Sequence, residues 1–151
     1  MTRFLPALLL LLMGLPANAQ HSADHEGVYA AVQDYLEGIY NVQPERIERS
    51  VSPDLVKRGW WRKGPGAEYV QSPMNYEQLL DLAGSWNTDN RQGLDDATPR
   101  DIQVLDVLDQ TAVAKLTAVW GIDYFQLEKV DGAWTIRHIL WQSHPEATGD
   151  H

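Results

Sequence analysis

The 151-residue chain contains no cysteine. Disulfides, thiolate nucleophiles, cysteine-ligated zinc and lipid attachment through a cysteine are therefore excluded. Stability has to come from packing, from a partner subunit, or from both. Basic residues are scarce beside acidic ones, 12 Lys and Arg against 21 Asp and Glu, for a formal net charge of −9. Such a chain repels phosphate backbones and anionic lipid, which argues against nucleic acid or a membrane surface as partner. The acidic residues are dispersed and do not form a tail, as befits a solvated surface. Long apolar runs are missing too, except at the start. Residues 4–15 are Leu-rich, follow Thr2-Arg3, and lead to the small-x-small signature Ala17-Asn18-Ala19. That run is short against the ~20 residues a bilayer span needs. Residues 1–19 are therefore expected to be a secretory signal peptide, and residues 20–151 a single periplasmic or secreted domain.

What is present points to helices followed by a sheet. Val28, Val32, Leu36 and Ile39 recur at helical spacing, with Tyr29, Tyr35 and Tyr40 widening the stripe, so residues 26–40 read as an amphipathic helix. Pro44 suits the first turn of a short second helix with Ile47 and Val51 inward. Ser52-Pro53-Asp54 repeats that device, and Lys57-Arg58 suit a helix end, so residues 52–58 are expected to be helical as well. Trp60-Trp61-Arg62 and Glu68-Tyr69-Val70-Gln71 flank a Gly- and Pro-rich turn and read as two short strands. Asn75 and Gln78 have capping-box spacing and open a helix through Leu79, Leu80 and Leu82 that Gly84 should end. Residues 87–98 form the one long polar loop, a candidate rim or lid. From Arg100 to Pro145 the chain is three stretches rich in β-branched and aromatic residues, joined most clearly by Asp131-Gly132. Both residues of that pair tolerate the positive φ of a tight hairpin turn. The fold class is thus α+β, ending in an antiparallel meander.

The order of these segments resembles a known family. Pro53-x-Leu55-x-Lys57-Arg58, Tyr76-Glu77-Gln78-Leu79, and Asp123-Tyr124 through Lys129-x-Asp131-Gly132-x-Trp134-x-Ile136 are similar to the putative lumazine-binding proteins, over residues 28–142. These belong to the nuclear transport factor 2-like superfamily, which also holds ketosteroid isomerases and polyketide cyclases. The resemblance implies a cone: N-terminal helices packed on a strongly bent antiparallel sheet, a pocket at the open end, and a homodimer formed through the outer sheet face. It implies no reaction and no cofactor, and the residues themselves name no ligand.

The candidate site residues follow from the strand patterns. In the final strand one face carries Trp134, Ile136, His138 and Leu140, the other Thr135, Arg137, Ile139 and Trp141. Apolar residues on both faces call for a cover on the outside, most simply a second subunit. Tyr124 and Trp134 sit on the two strands joined by Asp131-Gly132, and Trp60 and Tyr69 on the earlier hairpin. Together these rings are expected to enclose a small planar or apolar ligand, with Arg58 or His138 taking a polar edge. Trp61, Trp86 and Trp120 also stand at element ends, where rings line a mouth. His138 is the one histidine inside a structured segment, and reads either as a general base or as a satisfied core histidine. Asp34, Asp81, Asp106 and Asp123 all look solvent-facing or capping, and matching none of them to a catalytic base leaves enzyme status open. His21, Asp24 and His25 have ligand-like spacing near the chain start, but no metal site is assigned. Three functions stay open: a non-catalytic small-molecule-binding protein, a lyase, isomerase or cyclase acting on a carbonyl compound through His138 and Tyr69 or Tyr35, and a structural dimer with a filled pocket.

Overall fold

A computed structural model describes residues 17–146. Most of the expected export segment lies outside the described residues, and its last residues, 17–19, form the first turn of a helix. The elements in order are α1 (Ala17–Tyr40), α2 (Pro44–Ser50), β1 (Val51–Trp61), β2 (Val70–Gln71), α3 (Tyr76–Ser85), a 3₁₀ turn (Thr88–Asn90), β3 (Arg100–Val107), β4 (Thr111–Ala118), β5 (Gly121–Val130) and β6 (Ala133–Gln142). The strands make one curved sheet in the order β2-β1-β6-β5-β4-β3, with the helices on its inner face. All neighbours run antiparallel except β1 and β6, so the sheet is mixed. Asp131 (φ 49°) and Gly132 (φ 81°) supply the two positive φ angles of the β5–β6 turn. The capping box of α3 forms between Asn75 and Gln78, although the helix runs through Gly84 to Ser85.

Three expectations are corrected, each for a physical reason. Residues 52–58 are strand. The helix-start signals of Ser52-Pro53-Asp54 lose to pairing of β1 with β6, and the ladder breaks between Val51 and Val56, where Pro53 needs no N–H. Ser52 and Asp54 serve instead as acceptors for Arg137, at 2.7 and 3.4 Å. The middle β stretch is two strands, because it folds back at Val119-Trp120. Gly121 there has φ 147°, and a Cβ at this position would lie 2.0 Å from the Gln142 carbonyl oxygen. Finally, the β5–β6 ladder steps from Gln126↔His138 to Leu127↔Ile136, leaving Arg137 as an extra residue. A bulge of this kind exchanges the faces of everything beyond it. Trp134 and Ile136 face inward, but so do Ile139 and Trp141, while His138 and Leu140 face out.

The bulge therefore sorts the sheet. Inside, Ile139, Phe125 and Ala114 lie side by side across β6, β5 and β4 and pack on Val28, Val32, Tyr35, Leu36 and Ile39 of α1. Outside, Val56, Trp60, Leu140, Tyr124 and Val113 are exposed. Arg46 and Arg49 bind Asp34 at 2.9 and 2.7 Å and clamp α2 to α1.

Candidate functional site

The helices do not fill the wide end of the curved sheet. A cavity of about 850 Å³ opens there between α1, α3, β1, β6 and the β4–β5 turn. Its walls are aromatic: Trp61, Trp86, Trp120 and Trp141 all line it. The rings are fixed from behind. Tyr40 stacks on Trp86 with centroids 6.1 Å apart and meets Trp120 edge-on at 5.3 Å. Its hydroxyl donates to the Pro99 carbonyl and accepts from the Val119 N–H, both at 2.8 Å, which anchors the turn that carries Trp120. Trp141 lies flat over the backbone at Gly59, where a Cβ would fall 2.1 Å from the indole nitrogen. Only glycine permits that approach. The Trp141 Nε1–H is buried and has no hydrogen-bond partner.

Three polar groups form the floor. Lys57 projects inward from β1, held in the ladder by Ile139 on one side and by the Met74 N–H on the other (3.0 Å to the Lys57 carbonyl). Its ammonium donates to the Tyr35 hydroxyl, which in turn donates to Asp123 Oδ1 at 3.4 Å. Lys57 Nζ stands 3.8 Å from the same carboxylate oxygen, and Trp120 Nε1 donates to the other at 2.6 Å. The Lys57 side chain is 5% exposed and that of Asp123 0%. Lys57 and Tyr35 face the cavity, with Asp123 behind them. Burial dominates their acid–base behaviour. It lowers the Lys57 pKa, with Asp123 pulling it back, and raises that of Asp123, with Lys57, Trp120 and Tyr35 opposing. Burial, reinforced by Asp123, pushes the Tyr35 phenol well above its ordinary value. The arrangement is a buried ion pair bridged by a phenol that can pass a proton either way.

Residues beyond the sheet complete the rim. Arg62 binds Glu146 at 2.8 Å and the His144 carbonyl at 2.9 Å, and Glu146 also accepts from the Gly66 N–H at 2.6 Å. His144 Nε2 lies 2.7 Å from the Ala118 carbonyl, which can only accept, so that nitrogen carries the proton. These contacts draw residues 143–146 across one side of the mouth.

The six residues expected to enclose a ligand are not brought together here. Arg58, Trp60, Tyr124 and His138 lie on the outer face of the sheet, and His138 Nδ1 sits 3.1 Å from Gln126 Oε1 in solvent. His138 is neither an inward general base nor a core histidine, because the bulge at Arg137 reversed its face. Tyr69 is partly exposed and lies under the Arg62 guanidinium, 5.1 Å from its ring centroid. Trp134 is buried at the opposite, narrow end, where its Nε1 donates to Asp24 at 3.2 Å. Asp24 also pairs with Lys129, and among the described residues no His, Asp and Glu cluster is placed to hold a metal ion. Of the residues weighed from sequence, Tyr35, Trp61, Trp86 and Trp120 do line the cavity. Lys57 lies mid-strand in β1, which a helix over residues 52–58 conceals. Asp123 is buried and not solvent-facing: its place between Ile122 and Tyr124 at the start of an alternating strand puts it on the same face as Phe125 and Leu127.

Comparison with known proteins agrees with this architecture. A structure of a nuclear transport factor 2-like protein of unknown function from Shewanella baltica superposes with a TM-score of 0.58 at 15% identity, covering 88% of this chain and all of that one. A second such protein, from Methylobacillus flagellatus, gives 0.58 at 19% identity over 87% of this chain and 96% of its own. A hexachlorocyclohexane dehydrochlorinase gives 0.51 at 14% identity over 89% of this chain and all of its own. At these identities the likeness is one of fold. No curated protein matches the chain. The sequence profile of the family described as "Putative lumazine-binding" matches residues 23–142. The chain therefore belongs to the putative lumazine-binding family, and its fold is that of the nuclear transport factor 2-like proteins.

Proposed function

We propose that this protein binds a small, flat, mainly apolar molecule in the cone cavity, with one polar edge of the ligand against Lys57 and Tyr35. The observation that carries this reading is the buried Lys57–Tyr35–Asp123 network at the floor of a tryptophan-lined cavity. A buried ion pair is a poor source of stability, since hydrophobic residues of like volume usually do as well or better. Its position at a cavity floor is better explained by recognition. Indole faces hold planar molecules, and the volume suits a drug-sized ligand. Family membership supports small-molecule binding. The dehydrochlorinase among the structural neighbours leaves room for catalysis on this fold without supplying residues for it.

Two further parts of the reading rest on sequence and surface. The exposed Val56, Trp60, Leu140, Tyr124 and Val113 on the outer sheet face support a homodimer across that face. Residues 1–19 are read as an export signal that delivers residues 20–151 as one domain to the periplasm or the medium. Among the described residues no helix is long and apolar enough to cross a membrane.

Native mass spectrometry of protein recovered from the periplasm of an expressing bacterium tests the proposal. The expected spectrum shows a dimer lacking residues 1–19 and carrying a small-molecule mass that is lost on denaturation. Protein that retains no such mass, and whose melting temperature is unmoved by pteridines, flavin fragments and steroid ketones, would contradict ligand binding.

A further inference from the structure

We propose that Lys57 captures carbonyl compounds covalently, condensing with an aldehyde or ketone held in the cone cavity and carrying it as an iminium. The proposal rests on the binding reading above and adds a reaction to it.

The geometry supplies each part of that reaction. Lys57 is the one lysine of the cavity wall, and its amine sits between two aromatic rings, with Nζ 5.1 Å from the Tyr35 centroid and 5.6 Å from that of Trp141. An amine in such surroundings is poorly solvated, the condition under which lysine becomes a nucleophile. Lowering of its pKa by burial acts in the same direction. The proton that must leave has a path. At 3.8 Å, Asp123 is too far from Nζ for direct transfer, but the Tyr35 hydroxyl accepts from Lys57 and donates to Asp123. The polar group beside the amine is the Tyr35 hydroxyl, while the Trp141 Nε1–H is buried against the Gly59 backbone.

The step balances. One ammonium proton passes through the Tyr35 phenol to Asp123, and the freed lone pair on Nζ forms the C–N bond while the carbonyl π pair moves onto oxygen. A second proton moves from nitrogen to that oxygen and gives the carbinolamine. The proton held by Asp123 then returns through Tyr35 to the hydroxyl, which leaves as water as the C=N bond forms. The sum is Lys57–NH₃⁺ plus O=CR₂ giving Lys57–NH⁺=CR₂ plus H₂O. Net charge is unchanged, so Asp123 remains the counter-ion of the iminium and no co-reactant is needed.

The test uses the full chain with 2-naphthaldehyde and cyanoborohydride, which reduces an iminium to a stable secondary amine, followed by peptide mapping. The chain has four lysines, Lys57, Lys63, Lys115 and Lys129, so the other three serve as internal controls. Lys57 is expected to be alkylated at least tenfold faster than Lys63 or Lys115. In Tyr35→Phe the rate at Lys57 should fall at least tenfold, with the other lysines unchanged. Labelling of Lys63 and Lys115 with Lys57 untouched would overturn capture. Tryptophan quenching by the same aldehyde, measured without reductant, separates the two claims. Quenching without a Lys57 adduct overturns capture and leaves binding standing, whereas neither signal overturns both.

Discussion

Asp123→Asn removes the charge opposite Lys57 while nearly preserving shape, and the structure gives the expected size of the effect. Lys57 and Asp123 are 5% and 0% exposed, so solvent screens their interaction little. Breaking such a pair from one side costs about 3–5 kcal/mol, whereas replacing both partners by neutral groups of similar volume costs little. Asn retains an acceptor oxygen for Trp120 or Tyr35, but its amide faces the other donor, which adds to the loss. Lys57→Met keeps the length of the side chain and leaves Asp123 buried without a cation. Each single substitution is therefore expected to lower the unfolding free energy by about 3 kcal/mol, and Lys57→Met/Asp123→Asn to lie within about 1 kcal/mol of the parent. Urea denaturation followed by far-ultraviolet circular dichroism measures all three, with equal m values required for the comparison. Losses that simply add in the double variant would mean that the two charges do not sense one another, and the account of the cavity floor would fail.

Gly59→Ala should drive Trp141 off the backbone of β1, costing about 1–3 kcal/mol by overpacking and weakening ligand binding, as read from the melting temperature and a ligand titration. The Arg49 guanidinium, helped by Arg46, holds the Asp34 pKa below 3.8. A depressed carboxylate contributes stability that is present above the unfolded value and is lost as pH falls through the folded one. Asp34→Asn should accordingly be less stable than the parent at neutral pH and converge with it in acid, which urea midpoints measured from pH 6 down to pH 2 would check. If the proposed homodimer forms through the outer sheet face, the parent should sediment as a dimer and Leu140→Asp as a folded monomer, whereas a monomeric parent or a dimeric variant would contradict that interface. His138→Ala should move stability by no more than about 0.5 kcal/mol in urea denaturation, as befits an exposed side chain.

The parts legible in the sequence are those set by local chemistry. Asp131-Gly132 announced its turn because few pairs accept two positive φ angles, and Asn75 with Gln78 announced α3 because a capping box is a short-range device. The stripe of Val28, Val32, Leu36 and Ile39 gave α1 its buried face. The parts that were hidden depend on distant partners. Ser52-Pro53-Asp54 carries helix-start chemistry, and only the neighbouring β6 makes it strand. One unpaired residue, Arg137, moved His138 and Leu140 outward and Ile139 and Trp141 inward, and no alternation rule reveals a bulge that the partner strand imposes. The site was lost through those two errors. Lys57 disappeared with the strand it belongs to, and Trp141 with the face it lies on. Tyr35 was visible as a possible participant, but its partner Asp123 lies 88 positions away, joined by packing alone.

The central claim is that the cavity floor recognises a ligand, and the most direct measurement compares binding by the parent with binding by Lys57→Met/Asp123→Asn, whose fold is expected to be intact. Four of the six tryptophans line the cavity, so a planar ligand that enters it should quench intrinsic fluorescence saturably. The account predicts saturable quenching of the parent by at least one pteridine, flavin fragment or aromatic ketone. It also predicts affinity at least tenfold weaker in the double variant, whose melting temperature stays within about 5 °C of the parent's. Equal affinity in the two proteins, or no saturable quenching of the parent by any of these compounds, would contradict it.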